Sequence, residues 1–285
     1  MMSEKRQKIS TVLRYVVLTV VGFIMVYPLL WMVSATFKEN SEIFSSLNLI
    51  PQKVTFTGYA NAFKKIGGDL GLIGAMINTY KVVISKVIFT VVSCTIAAYG
   101  FGRFKFKGRN LMFSIMISTL FLPQVVLNIP QYVLFNQLGW IDSKFYLPLV
   151  IPSLFATDTY FVFMLIQFLR NVPKELEEAA KIDGANVFQT LLLVIVPMLK
   201  PALVSVALFQ FMWSSNDFMG PLLYVKTPSH KVVAQYVKLA MDADNGFDWN
   251  RVLAVSLISI IPSLIVFFLA QNSFVEGISA GGVKG

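Results

Sequence analysis

The sequence predicts an all-α integral membrane protein with six spans, on three observations. Of 285 residues, 56% are hydrophobic and 14% charged, against about 25% charged in soluble domains. Six apolar runs approach the ~20 residues that a helix needs to cross a bilayer. Lysines and arginines gather in alternate connections between those runs, as the positive-inside rule requires.

The first span covers about 12–33, and Tyr15 to Phe37 is free of charge. A basic start and a "VSA" ending imitate a signal peptide, but the apolar region exceeds the ~7–15 residues of a secretory core, so a retained anchor is expected. The second span, about 75–99, contains Lys81 and Lys86. The third, about 111–130, includes Pro123 and Pro130. The fourth, about 146–169, contains Asp158. The fifth, about 188–213, is interrupted by Lys200 and two prolines, and the sixth, about 252–275, carries no charge.

Orientation follows from the short connections. Lys5, Arg6, Lys8 and Arg14 lie at the N-terminus, Arg103, Lys105, Lys107 and Arg109 follow the second span, and Arg170, Lys174 and Lys181 follow the fourth. The connection after the third span holds only Lys144. Both termini, 1–11 and 276–285, are therefore expected in the cytoplasm, with a six-helix domain over 12–275. The longer segments 34–74 and 224–250 fall outside. They also hold lysines, but the rule weakens for long loops.

Composition excludes several functions. The net charge of +9 would suit nucleic acid only if clustered on a water-facing surface, and "RFKFKGR" lies between two membrane-length runs. Cys94 is the only cysteine and reads as a buried inert thiol. His230 is the only histidine, so no zinc site can be built from Cys and His. No phosphate loop is present, and "GGDLG" at Gly67 lacks the Lys-Ser/Thr that one needs.

One stretch departs from this oily background. "KELEEAAKIDGANVFQTLLLVIVP" places three glutamates and an aspartate within nine residues. Pro173 suits a first helical turn, and Glu175, Glu177 and Glu178 suit a helix N-terminus. Val172, Leu176, Ala179 and Ala180 share one face. Gly184 fits a C-cap, and a second helix begins near Asn186. An acidic, alanine-rich helix would be repelled by anionic headgroups, so a docking element for a protein partner is expected within the loop 171–187.

These residues resemble the EAA signature of ABC-importer permeases. Glu178, Ala179, Ala180, Asp183, Gly184 and Pro197 match it, and "WSSNDFMGPL" with Asn216 and Asp217 resembles the segment that follows in carbohydrate permeases. "AAYGFGRFKFKGR" and the tail "GISAGGVKG" extend the likeness, the tail to the maltose-type second permease. The resemblance implies the type I importer fold. It also implies a sister permease subunit, an ATPase dimer that binds ATP and Mg, an extracellular solute-binding protein and a sugar substrate. The setting would be the cytoplasmic membrane of a prokaryote. By the same resemblance 171–187 is the coupling loop, with Glu178 pairing basic residues of the ATPase, Ala179 and Ala180 allowing close packing, and Gly184 permitting the turn. The tail 281–285 would reach toward the ATPase. The chain itself would hold no cofactor and perform no catalysis.

Polar groups inside the spans are candidates for the solute path, because they are expensive in lipid. They are Lys81, Lys86, Asn78, Gln124, Asn128, Gln131, Asp158, Asn216 and Asp217. The lysines also read as residues snorkelling to headgroups, and Asp158 as a link between helices near the midplane. An outer-half pair formed by Lys81 and Lys86 would favour an anionic sugar. The rivals are a permease for another solute, a membrane-embedded enzyme, and a secondary transporter. The last would show inverted repeats and broken paired helices, and the sequence suggests neither.

Overall fold

The computed structural model describes residues 2–66, 68–241 and 248–282, with side chains for 10–66, 68–241 and 248–271. It is helical, with no strand among the described residues. The chain divides into two compact units, Met1–Gly67 with Val237–Ile260, and Gly68–Tyr236 with Ile261–Gly285. The expectation for the tail 281–285 falls at the edge of the described backbone and outside the described side chains. Residues 242–247 of the second outer segment are also outside the described residues.

In the first unit, α1 (Met2–Ala35) is followed by two short helices, α2 (Asn40–Ile43) and α3 (Thr57–Ala62). None of the most apolar window of α1 is buried, as suits a helix with lipid or another subunit as its solvent. The segment after α1 is tied down rather than loose. Lys38 is fully buried, and its ammonium donates to the carbonyls of Ser46 at 3.3 Å and Asn48 at 2.5 Å. Asn250, at the start of the last long helix, donates to the carbonyls of Thr36 at 2.9 Å and Lys38 at 2.6 Å. Its own N–H is accepted by Asn40 Oδ1 at 2.8 Å. Asp248 accepts from the amides of Asn40 and Asn61.

The second unit is built around α4 (Leu72–Arg103), an unbroken helix of 32 residues. After it come α5 (Arg109–Thr119), α6 (Gln124–Gln137), α7 (Leu147–Val150), a 3₁₀ turn over Ile151–Phe155, and α8 (Thr159–Leu169). Then follow α9 (Glu175–Ile182), α10 (Val187–Thr190), a π turn over Leu191–Ile195, α11 (Val196–Met198) and α12 (Lys200–Ser215). The last elements are α13 (Met219–Tyr224), α14 (Val233–Met241), which crosses the unit boundary, and α15 (Trp249–Gly282), which also spans both. Cys94 and Ala98 of α4, Phe161, Val162, Leu165 and Ile166 of α8, and Ala202 and Val206 of α12 form the central core. Alanines at the contact let the helix backbones approach closely. Cys94 is a buried free thiol, as expected.

Four stretches are long and apolar enough to span, namely Ser10–Ala35, Leu72–Arg103, Leu147–Leu169 and Trp249–Gln271. The third and fifth expected spans are not straight. α5 and α6 meet at 104°, and Val187–Met198 meets Lys200–Ser215 at 79°. This corrects the expectation that broken paired helices are absent. The cause is local, because a proline offers no N–H and turns the residue before it away from helix. Pro123 stands at the first bend, and Pro197 and Pro201 flank the second. By length and composition the described residues hold four helices able to cross, or up to six crossings with each bent pair taken as one.

The connection between α6 and α7 is clamped to 226–230. Asp142 accepts from the N–H groups of Lys226 and Thr227, each at 2.9 Å, and from the Thr227 hydroxyl at 2.5 Å. His230 Nδ1 lies 3.8 Å away. Burial raises the Asp142 pKa, but the Thr227 and Lys226 donors and His230 outweigh it and hold the carboxyl below its ordinary 3.8.

Two predictions follow from this packing. A Cβ on Gly58 would overlap Asn250 Oδ1 and lie 2.6 Å from the Asn250 carbonyl. Gly58→Ala should therefore destabilise the first unit by about 1–3 kcal/mol, the usual cost of overpacking, seen as a lower melting temperature of the detergent-solubilised protein. Because the Asp142 pKa is depressed on folding, its stabilisation is present above the unfolded value and lost as pH falls through the folded one. Asp142→Asn should melt lower than the parent at pH 7, and the two melting curves should converge below about pH 3.8. A gap unchanged by pH would show that the carboxylate charge is immaterial.

Candidate functional site

The acidic stretch folds as α9, starting at Glu175 rather than Pro173. It is about 12 Å long at 1.5 Å per residue. Its end is a Schellman motif: the Gly184 N–H donates to the Lys181 carbonyl at 3.1 Å and the Ala185 N–H to the Ala180 carbonyl at 2.9 Å. Gly184 has φ +86°, a conformation that costs any residue with a Cβ about 1–2 kcal/mol. Asn186 then caps the next helix. Asn186 Oδ1 accepts from the Gln189 N–H, and Gln189 Oε1 accepts from the Asn186 N–H, both at 2.9 Å. This reciprocal box opens the bent fifth span two residues after the Gly184 turn.

Glu178, Ala179, Asp183 and Gly184 are exposed, and Ala180 is half-buried. The expected apolar stripe is not a buried face, since Val172 is buried while Leu176 is exposed. Instead α9 is held by Glu177. Glu177 forms an ion pair with Arg103, the last residue of α4, with side-chain exposures of 16% and 8%. Arg103 also donates to the Val172 carbonyl at 2.6 Å, and the Tyr99 hydroxyl donates to Glu177 at 3.3 Å. Beneath them Tyr99, Leu169, Val172, Leu191, Ile195 and Leu199 form a core cluster. Sequence reasoning singled out Glu178 and passed over Glu177 and Tyr99. No spacing rule joins residues 74 or more positions apart. Ile182, at 86% exposed, and Phe188 add apolar surface to the same end.

The expected solute-path residues separate into groups. Lys81 and Lys86 do not act as a pair, because five residues at 100° each place them about 140° apart on α4. Lys81 lines an outward apolar groove with Ile73, Ile77 and Ile84, whereas Lys86 lines a crevice with Thr79, Ser214, Ser215 and Asp217. The crevice thus joins Lys86 and Asp217, and adds three hydroxyls that sequence reasoning did not select. Ser214 is buried, and its hydroxyl and that of Ser215 have no hydrogen-bond partner there. Asp217 also accepts from the Gly220 N–H at 3.0 Å.

Asn78 is already committed. Its amide donates to the carbonyls of Ser229 at 2.9 Å and Lys231 at 3.1 Å. Asn216 donates to the Met212 carbonyl. Asp158 accepts the Thr90 hydroxyl of α4 at 2.8 Å, the helix-linking role. Gln124, Asn128 and Gln131 lie on one face of α6 at i, i+4 and i+7. Gln124 is exposed and the others are half-buried.

The profile of the binding-protein-dependent transport system inner membrane component family matches residues 90–274. The galactooligosaccharides transport system permease protein GanQ of Bacillus subtilis is 30% identical over 282 residues, covering 98% of both chains. The trehalose/maltose transport system permease protein MalG of Thermococcus litoralis is 32% identical over 266 residues, covering 93% of both. The crystal structure of a bacterial ABC transporter involved in the import of the acidic polysaccharide alginate superposes with a TM-score of 0.80 at 20% identity. It covers 94% of this chain and 98% of that one. The same type of importer, solved with its alginate pentasaccharide-bound periplasmic protein, gives 0.68 at 14% identity over 94% and 95% of the two chains. These structural likenesses bear on the fold. The family match over residues 90–274, with relatives of 30% and 32% identity over nearly the whole length, shows that this chain belongs to the binding-protein-dependent transport system inner membrane components and is a permease subunit of an ABC importer.

Proposed function

We propose that the chain is one of two membrane subunits of an importer for an oligosaccharide, delivered by an extracellular solute-binding protein and driven by a separate ATPase dimer that holds the ATP and Mg. The observation that carries this reading is the anchoring of α9. Its Glu177 side is fixed to α4 by Arg103 while Glu178, Ala179, Asp183 and Gly184 are left exposed. A helix fixed on one side and bare on the other is suited to pass a partner's motion inward. The alternation of basic connections supports a cytoplasmic position for α9, both termini in the cytoplasm, and the cytoplasmic membrane of a prokaryote as the setting.

The sugar assignment rests on relatives described as permeases for galactooligosaccharides and for trehalose and maltose. Amides offer both donors and acceptors to hydroxyls, so Gln124, Asn128 and Gln131 suit a path for such a solute. Lys86, flanked by Asp217 and the two serines, is the basic group left to favour an anionic sugar. Lys81 has no part in that discrimination.

Two experiments test this. In the assembled transporter, Arg103→Glu should lower ATPase stimulation by loaded binding protein about tenfold, a typical coupling energy of 1–3 kcal/mol. Basal ATPase should persist, and the Arg103→Glu/Glu177→Arg double variant should recover stimulation. A double variant as defective as the single one would remove the ion pair from the mechanism. In uptake assays, Lys86→Ala should reduce the preference for a uronate-containing over a neutral oligosaccharide, with Lys81→Ala unchanged. Identical preferences in all three proteins would sink the role given to Lys86.

A further inference from the structure

Near the Arg103–Glu177 pair lies a cleft of about 260 Å³ that the transport reading does not use. Three arginines line it, each from a different helix end. Arg103 is the last residue of α4, Arg109 the first of α5, and Arg170 the C-cap of α8. Asn110 joins them at the start of α5, and Phe113 and Ile166 supply apolar wall. These three span ends lie at the same face of the membrane, because α4 and α8 run one way and α5 returns. Arg109 Nε donates to the Phe101 carbonyl at 2.8 Å, which orients the guanidinium and leaves its Nη atoms available. Arg170 is exposed, and its guanidinium has no ion-pair partner among the described residues. Glu177 offsets one charge only, that of Arg103.

Basic residues at span ends are expected from topology alone. Convergence is not. Lys105 and Lys107 in the same connection are exposed and line no part of the cleft. The cleft is also selective in side-chain type, since guanidinium forks match phosphate oxygens bidentately where an ammonium is a point charge. Arg109 and Asn110 bring the N-terminal turn of the 11-residue α5 to the cleft, the helix end that favours an anion. A lining that combines arginines with Phe101, Phe113, Ile166 and Leu169 fits a phosphodiester joined to acyl chains better than a free ion.

We propose that the Arg103–Arg109–Arg170 cleft is a phosphate site occupied by the headgroup of an anionic phospholipid. It would fix a lipid at the junction of α4, α5 and α8, next to the anchor of α9. This site does not depend on the identity of the transported solute.

The test uses the assembled transporter, reconstituted in bilayers of equal parts phosphatidylcholine and phosphatidylglycerol, then extracted and weighed by native mass spectrometry. Phosphatidylglycerol should be retained in preference to phosphatidylcholine. Arg109→Gln/Arg170→Gln should lose that retention, by about fivefold for each arginine removed. Lys105→Gln/Lys107→Gln, with the same change in charge, should retain the lipid like the parent. Arg170→Gln alone guards against misfolding of the double variant, since that side chain is exposed, and it should show about a fivefold loss. Equal loss from the lysine variants would overturn the site in favour of a diffuse surface charge. Displacement of the lipid by inorganic phosphate, with inorganic phosphate raising the melting temperature in detergent alone, would overturn the lipid assignment and make free phosphate the ligand. Equal retention of both lipids by the parent would overturn both.

Discussion

Hydrocarbon offers no hydrogen bonds to a backbone, so every break in a spanning helix must find its partners inside the protein. In the second unit α4 supplies them. It runs unbroken for 32 residues, and its short polar side chains reach out to neighbours that are broken. Ser93 donates to the Ser153 carbonyl in the 3₁₀ turn at 2.7 Å. Thr90 donates to Asp158 where α8 begins. Thr79 accepts the Val233 N–H at 2.9 Å, and Asn78 binds two carbonyls of the 229–231 stretch. One continuous helix thereby licenses irregular backbone around it. That irregular backbone is where a transport path can be lined by polar groups, because a regular helix exposes none of its own amides.

The same helix sets the position of α9. α4 ends at Arg103, and Arg103 holds Glu177 and the Val172 carbonyl. A buried ion pair contributes modestly to stability, since desolvation offsets most of the attraction, but breaking it leaves an uncompensated charge and is costly. It therefore serves position better than strength. Three features define α9 and its exit: Glu177 on its inner face, the Schellman turn at Gly184, and the capping box that opens the following helix. None of the three consumes Glu178 or Asp183, which stay exposed. α4 and the bent fifth span, the two elements that meet at α9, also line the Lys86 crevice at its Thr79 and Ser214 walls.

Charge in this protein is placed by the cost of leaving water. The basic connections sit at helix ends, where lysine and arginine reach the headgroups. Inside the unit Asp158 is met by a hydroxyl, and Lys86 shares its crevice with Asp217. In the first unit the fully buried Lys38 is capped by two carbonyls. The segment after α1 is consequently a folded lobe whose polar contacts are internal, rather than a flexible outer loop.

Much of this was determined by the sequence alone. Apolar runs fix the number of crossings because membrane thickness fixes helix length. The short acidic helix, its glycine stop and the Asn186 start follow from capping chemistry, which is local. The EAA-type residues carried the resemblance that the family match then bore out. Tertiary structure alone decided what depends on residues far apart. The Arg103–Glu177 anchor joins positions 74 residues distant, so no periodicity could reveal it. The separation of Lys81 from Lys86 follows from helical rotation, yet only the packing of α4 decides which of the two faces a crevice and which faces an open groove. The prolines marked where two spans could bend, but the angles of 104° and 79° are visible only in the folded chain. Local chemistry proposes each element, and long-range hydrogen bonding in a waterless medium selects where its breaks and charges are allowed.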